Sequence, residues 1–161
     1  QQLGLLSSAG ASSGSDGSLN EGVQVSRAVY TANVGGSTVT LSAAVFAPIA
    51  GWSSRGMFVY HHGTQSLATN VLSLNTRVVD DGAGTQTLRN ADDTADNGQA
   101  ALCALFALMG FVVVAPDELG LGLSSEPHQA YLQYAELSAV SVELVRAVMQ
   151  ARALLGPEFL P

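Results

Sequence analysis

Residues 110–122 read Gly-Phe-Val-Val-Val-Ala-Pro-Asp-Glu-Leu-Gly-Leu-Gly. The apolar run, followed by proline, two acids and two glycines, predicts a buried strand that ends in a tight turn. A second apolar stretch, residues 57–64, reads Met-Phe-Val-Tyr-His-His-Gly-Thr and also ends at glycine. The carboxyl ends of parallel strands form the ligand-binding edge of an open sheet. These two stretches therefore predict the position of a functional cleft.

Two further strands are predicted before this pair. Residues Val23–Ala32 and Thr38–Ala47 are rich in β-formers, and the Asn-Val-Gly-Gly-Ser turn between them predicts an antiparallel hairpin. The pair formed by residues 57–61 and 111–115 is separated by a long crossover, which predicts parallel pairing. The predicted fold class is therefore α/β, with a mostly parallel sheet, a leading antiparallel hairpin and flanking helices.

Two helices are predicted, one before and one after the strand at 111–115 in the sequence. Residues 97–109 form the first, closed by Gly110 as its cap, and residues 138–155 form the second, with apolar side chains every three or four positions. Residues 67–98 are polar and predict a long irregular loop, which is usually functional or contains short helical turns.

The length and composition limit the number of domains and the classes of binding partner. With 161 residues the chain fits one domain, and we expect a flexible Gly/Ser-rich lead-in over residues 1–20 and a partial domain over residues 21–161. Thirteen acids oppose six arginines, lysine is absent and the net charge is -7, which argues against nucleic acid as a partner. No apolar run reaches the ~20 residues of a transmembrane helix. The single cysteine, Cys103, lies among apolar residues and is predicted to be buried.

The turn formed by His62, Gly63, Thr64 and Gln65 is the first candidate site. A strand that ends in His-Gly leaves the following backbone N–H groups free, and such donors can stabilise the oxyanion of an acyl-transfer intermediate. The alternative is a tight turn that merely needs glycine. Asp117, in the second turn, has two interpretations as well: it accepts backbone N–H bonds, or it acts as a catalytic acid.

Two other patterns carry less weight. His61, His62 and His128 suggest a metal site, but adjacent histidines on a regular strand point to opposite faces, so no metal or cofactor is predicted. Residues 10–14 read Gly-Ala-Ser-Ser-Gly and match the Gly-x-Ser-x-Gly elbow of serine hydrolases. An elbow must follow a strand and open a helix. Because this match lies in a Gly/Ser-rich segment, Ser12 is not predicted to be the nucleophile.

Taken together, these stretches resemble the amino-terminal half of the α/β-hydrolase superfamily, and specifically its secretory-lipase-like esterase group. The resemblance runs from about Val23 to Leu155, and its most specific piece is the Pro-Asp-x-x-Gly-Leu-Gly turn with Asp117, Gly120 and Gly122. The other matching stretches are His62-Gly63-Thr64, residues 128–132 and residues 136–152. An acid, Glu118, stands where that group commonly has an aromatic residue.

The resemblance implies a function. The N–H groups of Thr64 and Gln65 would form the oxyanion hole, with His62, Gly63, Asp117, Gly120 and Gly122 supporting the cleft and its turns. The nucleophilic serine, the acid and the histidine would follow in that order after Pro161, so no catalytic residue is expected in this chain and it would need the carboxyl-terminal half of the fold. The implied substrate is a carboxylic ester or lipid, and the implied location is secreted or periplasmic. The alternatives are a non-catalytic binding module and a fragment without activity of its own.

Overall fold

The structure is a computed structural model that describes residues 4–11, 22–48, 55–63, 69, 71–80, 86–90, 98–126, 128–130 and 133–155. Its elements in chain order are β1 Gly4–Ala11, β2 Val23–Val34, β3 Ser37–Pro48, β4 Met57–Val59, α1 Leu72–Asn75, β5 Thr76–Asp80, β6 Gln86–Asn90, α2 Gly98–Leu108, β7 Val112–Pro116 and α3 Tyr134–Leu155.

Five of the described strands form one mixed sheet, in the order β1-β2-β3-β7-β4. Strands β4 and β7 are parallel, as the crossover predicted, with Phe58 opposite Val113. The other three pairings, β1 with β2, β2 with β3 and β3 with β7, are antiparallel. The prediction of a mostly parallel sheet is therefore wrong for the described strands, because only one pair is joined through a crossover helix. The α/β class itself is confirmed.

The predicted hairpin is confirmed and is longer than expected. Strands β2 and β3 pair continuously from Val23 opposite Pro48 to Val34 opposite Ser37. Gly35 and Gly36 make the two-residue turn with φ of 59° and 84°. Positive φ at both central residues matches the right-handed twist of the flanking strands, which explains why two glycines occupy this turn.

Strand β1 lies inside the segment predicted to be a flexible lead-in. Residues 4–11 pair antiparallel with β2, so the prediction is wrong for this part of residues 1–20, and the remaining lead-in residues lie outside the described residues. An edge strand is stabilised by main-chain hydrogen bonds and needs no apolar side chains. Six of its eight residues are serine, alanine or glycine, so the segment gave no β signal in the sequence.

Helices α2 and α3 cover opposite faces of the sheet. On one face, Val140 and Leu144 of α3 pack against Tyr30, Val112 and Val114. On the other face, Cys103 and Ala107 of α2 belong to a second cluster, which also contains Phe46, Val113 and Ala115. Successive residues of β7 thus point to different cores, which is why this strand is apolar at every position. Both helix predictions are confirmed.

The segment predicted to be a long loop contains regular structure. Helix α1 is a single turn, and β5 and β6 form a separate antiparallel pair with Val78 opposite Leu88. The prediction of an irregular loop over residues 67–98 is therefore wrong at these positions, although a short helical turn was allowed for. Neither strand shows the apolar alternation that identifies a half-buried strand.

Candidate active site

The candidate site is a cleft at the carboxyl ends of β4 and β7. It has a volume of about 550 Å³ and lies between the end of β4, the turn after β7 and the first turns of α3. One wall is apolar, and polar side chains come from both strand ends and from the helix. The lining residues are Val59, His61, His62, Glu118, Tyr134, Leu137, Ser138, Ser141 and Val142.

Asp117 lies behind the cleft and is almost fully buried, with 1% of its surface exposed. The hydroxyls of Ser42 on β3 and Ser73 on α1 both donate to its carboxyl oxygen Oδ2. The backbone N–H of Ser73 donates to Oδ1 over 3.3 Å. Burial raises the pKa of Asp117, and the hydrogen bonds from the two serines oppose that shift. The carboxyl thus joins three elements and is not among the residues that line the cleft.

Gly120 and Gly122 are required by the space around them as well as by their positive φ of 76° and 61°. A Cβ atom on Gly120 would lie 2.5 Å from the backbone of His128. A Cβ atom on Gly122 would overlap the Asp117 carboxyl and would come within 2.5 Å of Ser42 Oγ. The chain at Gly122 can therefore lie against the Asp117 hydrogen-bond network only if this position carries no side chain.

His62 links the turn after β4 to the turn after β7. Its Nε2 lies 3.2 Å from the carbonyl oxygen of Asp117, and its Nδ1 lies 2.7 Å from the carbonyl oxygen of Gly63. Only 5% of the His62 side chain is exposed, and Nε2 lies 4.0 Å from Glu118 Oε2. His62 thus joins the turn after β4 to the backbone of Asp117.

His61 reaches the same acid from the exposed side of the cleft. Its Nδ1 lies 3.1 Å from Glu118 Oε1, and its Nε2 lies 3.3 Å from Ser141 Oγ on α3. Glu118 has a φ of 70°, an unusual conformation for a residue with a side chain. Strand β4 ends at Val59. Because both histidines follow the strand, the alternation argument for opposite faces does not apply, and both approach Glu118.

The predicted oxyanion donors, Thr64 and Gln65, lie outside the described residues. They follow directly after Gly63 in the sequence, whereas His62, Gly63, Asp117, Gly120 and Gly122 all lie in the two described turns. Across the described part of the chain, no group of three or more His, Cys, Asp or Glu side chains could hold a metal ion. Nor does any described helix have the length and hydropathy to cross a membrane.

The Gly-x-Ser-x-Gly match at residues 10–14 begins at the other end of the sheet. Gly10 and Ala11 pair with Gln24 and Val23, and Val23 in turn pairs with Pro48. Strand β3 is antiparallel to β7, so this end of the sheet corresponds to the amino end of β7. Contrary to expectation, the first two residues of the match belong to a strand, but that strand is at the opposite edge of the sheet from the cleft and these residues lie at its opposite end.

Sequence reasoning missed Ser42, Ser73 and Ser141. Ser42 and Ser73 are separated from Asp117 by 75 and 44 positions, and Ser141 is 80 positions from His61. The one available signal was that Ser42 occurs in the apolar half of β3, where a buried hydroxyl must find a partner. Glu118 was noted only as an unusual residue within the resemblance.

Comparison with known proteins gives a consistent fold. No protein-family profile and no curated protein matches the chain. Among solved structures, the rice cell wall degrading esterase LipA from Xanthomonas oryzae matches with a TM-score of 0.66 at 20% identity, over 94% of this chain and 38% of LipA. Its ligand-bound form gives the same values. A Legionella pneumophila protein that carries a provisional hydrolase name matches with a TM-score of 0.66 at 22% identity, over 84% of this chain and 32% of its own.

The chain therefore has the fold of solved hydrolases and esterases, as the resemblance in its sequence indicated. It spans about a third of the length of each of these proteins. At this level of identity the likeness establishes the fold, and the activity has to be argued from the site.

Proposed function

We propose that this chain is the amino-terminal portion of a serine carboxylic-ester hydrolase, an esterase or lipase, and that it supplies the oxyanion-hole turn and one wall of the substrate cleft. The observation that carries the proposal is the cleft at the carboxyl ends of the parallel strands β4 and β7, beside the His62-Gly63 turn. A ligand site is expected at this edge of an open α/β sheet. The fold of esterases supports the same conclusion.

The proposed chemistry is acyl transfer. A serine hydroxyl attacks the ester carbonyl while a histidine takes the serine proton, and the backbone N–H groups of Thr64 and Gln65 donate to the oxygen that becomes negative. One such donor lowers the barrier by ~3–4 kcal/mol. The serine, acid and histidine of this mechanism would come from residues that follow this chain in the complete protein. A secreted or periplasmic location belongs to the same proposal.

The cleft suits an ester with an apolar acyl or alcohol group. Val59, Leu137 and Val142 provide apolar surface, and Tyr134 adds an aromatic ring at the rim. The polar junction of His62 with Asp117 and the close approach at Gly120 and Gly122 support the turn behind this surface. Substrate contacts would thus be made by the cleft wall, while the two turns would support the segment that carries the proposed oxyanion donors.

A non-catalytic binding module is the second candidate. The hydroxyl of Ser141 donates to the carbonyl oxygen of Leu137 over 2.8 Å, as expected for a serine within a helix, and this bond competes with its use as a nucleophile. In a binding module, the two serines of the cleft lining, Ser138 and Ser141, would serve only as polar contacts to the ligand. A nucleophile in the rest of the protein distinguishes the two candidates.

The oxyanion role is tested by removing one N–H group. In the complete gene product, Thr64→Pro should lower turnover of a nitrophenyl ester at least about tenfold, because proline has no backbone N–H. Thr64→Ala is the matched control, since it removes the side chain and keeps the donor, and its turnover should stay within about twofold. Equal turnover by a folded Thr64→Pro protein and the parent would remove Thr64 from the oxyanion hole.

A further inference from the structure

We infer that His61 is a positioning residue for the proposed reaction: its imidazole joins Glu118 in the turn after β7 to Ser141 on α3, and so fixes the chain where it leaves β4. This inference rests on the proposed function. It assigns a role to a histidine that the oxyanion-hole prediction leaves unused.

Among the described residues, few hydrogen bonds hold the chain where it leaves β4. Strand β4 has only three residues, and Tyr60 N–H donates to the Val114 carbonyl over 2.9 Å just after it ends. Among the described residues, no further backbone hydrogen bond joins residues 61–63 to the sheet. In the described part of residues 61–64, the hydrogen bonds from the turn to the rest of the protein are made by its two histidine side chains.

The two histidines both lie near Glu118, but their hydrogen bonds go to different partners. His62 is 5% exposed and contacts the Asp117 carbonyl behind the cleft. His61 is 44% exposed and contacts Glu118 and Ser141, both of which line the cleft. The turn is thus held from its buried side by one ring and from its cleft side by the other.

The donors and acceptors of His61 match those of both of its partners. The Glu118 carboxylate accepts a hydrogen bond from Nδ1–H. With the neutral ring, the single proton of the Ser141 hydroxyl goes to Nε2 instead of the Leu137 carbonyl; with the doubly protonated ring, the hydroxyl accepts from Nε2–H and donates to Leu137. The bridge between the two strand ends and α3 therefore survives either arrangement of protons.

Glu118 itself has an unusual backbone conformation. Its φ of 70° is unfavourable for a residue that carries a Cβ atom, and its carboxylate lies between the two histidines, 3.1 Å from His61 and 4.0 Å from His62. Residues held in such a conformation persist where the surroundings fix them, and they concentrate at functional sites. Glu118 thus orients the histidines, and through them the turn that leads to the proposed oxyanion donors.

The test uses the complete gene product and its hydrolysis of nitrophenyl esters. His61→Ala should lower kcat about tenfold and leave KM within about twofold, because a displaced donor weakens transition-state binding more than substrate binding. His61→Asn should recover most of the loss, since its amide can still donate to Glu118. The double variant with Glu118→Ala should lose no more than the larger single loss, because the two residues act as a unit. His128→Asn, at an exposed histidine outside the cleft lining, is the control.

Several results would overturn the positioning role. They are an unchanged kcat for His61→Ala, losses in the two single variants that multiply in the double variant, and no recovery by His61→Asn. If His61→Ala fails to fold, Ser141→Ala removes only one hydroxyl of the bridge and should lower kcat about threefold with normal folding; no change would contradict the bridge. A fluorophosphonate adduct mapped to Ser141 would make His61 a catalytic base instead. If the unsubstituted protein is not labelled at all, the proposed function fails, and the positioning role fails with it.

Discussion

Asp117 shows how a single buried acid can join three elements of the fold behind a cleft. Its carboxyl accepts hydrogen bonds from serines on β3 and α1, while its backbone N–H donates to the carbonyl of Ser42 over 3.0 Å. The hydroxyl of Ser42 also accepts the Leu123 N–H over 2.9 Å. A buried carboxyl without partners would cost several kcal/mol, so these donors are what allow it to stay inside the protein. The network fixes the turn after β7 on which the cleft depends.

The hydrogen-bond network around Asp117 leads to a prediction for the stability of a Gly122 variant. In the complete gene product, Gly122→Ala should lower the free energy of unfolding by about 3 kcal/mol or more, because the new Cβ atom overlaps Asp117 in addition to the strain of a positive φ. The matched control is Gly36→Ala in the β2–β3 turn, where φ is 84° and nothing lies within 4 Å. It should cost about 1–2 kcal/mol from the backbone alone. Denaturant unfolding of both variants measures the difference, and equal losses would contradict the contact.

The sequence predicted where the turn glycines would be needed, but it did not predict which side chains would form hydrogen bonds with each other. The glycines at 120 and 122 predicted a tight turn, because glycine tolerates positive φ. The partners of Asp117 could not be predicted, since Ser42 and Ser73 lie far away in the sequence and buried serines follow no periodic pattern. His61 and Glu118 were recognisable as polar residues at strand ends, but their contact depends on how two turns and a helix meet.

At the scale of elements, helix α3 is the best-defined support of the cleft. Its residues Val140, Leu144 and Val148 are buried against the sheet, while Leu137, Ser138, Ser141 and Val142 line the cleft. The helix therefore carries the cleft wall on the same rigid element that covers the core. Because its apolar stripe was periodic, the sequence predicted the helix and its buried face.

Helix α3 leads to a stability prediction. Leu144→Ala in the complete gene product should lower the free energy of unfolding by about 2–5 kcal/mol, because the side chain is fully buried and its loss leaves a cavity. Met149→Ala on the same helix, at a position 53% exposed, should change it by no more than about 0.5 kcal/mol. Similar losses from both variants in denaturant unfolding would mean that α3 does not pack on the sheet through this face.

Elements without a strong pattern were missed. Strand β1 consists mostly of small residues and is defined by its backbone pairing with β2. Among the described strands, β5 and β6 pair with each other and not with the larger sheet. Strands held by main-chain hydrogen bonds do not require particular side chains. The sequence therefore predicted a lead-in at β1 and a loop at the β5–β6 pair. The burial of Cys103 was predicted correctly from its apolar neighbours, and burial raises the pKa of its thiol to about 12.

In the molecule as a whole, one side of the sheet is antiparallel and the other side contains a parallel pair. The hairpin and β1 extend it on one side by antiparallel pairing, and β4 joins it on the other side by parallel pairing with β7. The crossover predicted the parallel pair, but the proportion of parallel and antiparallel pairs depends on which strands become neighbours. That choice is made by long-range packing, which local sequence patterns do not report. The cleft lies beside the parallel pair, where the sequence predicted it.

The central claim, that the complete protein is a serine hydrolase to which this chain contributes the oxyanion turn, is tested most directly by fluorophosphonate labelling with identification of the modified residue. We expect one labelled serine in the complete gene product, located after residue 161, and no labelling of this chain expressed alone. A folded complete protein that takes no label would contradict the hydrolase and favour a binding module. Labelling of a serine within residues 1–161 would contradict the proposed division of the active site.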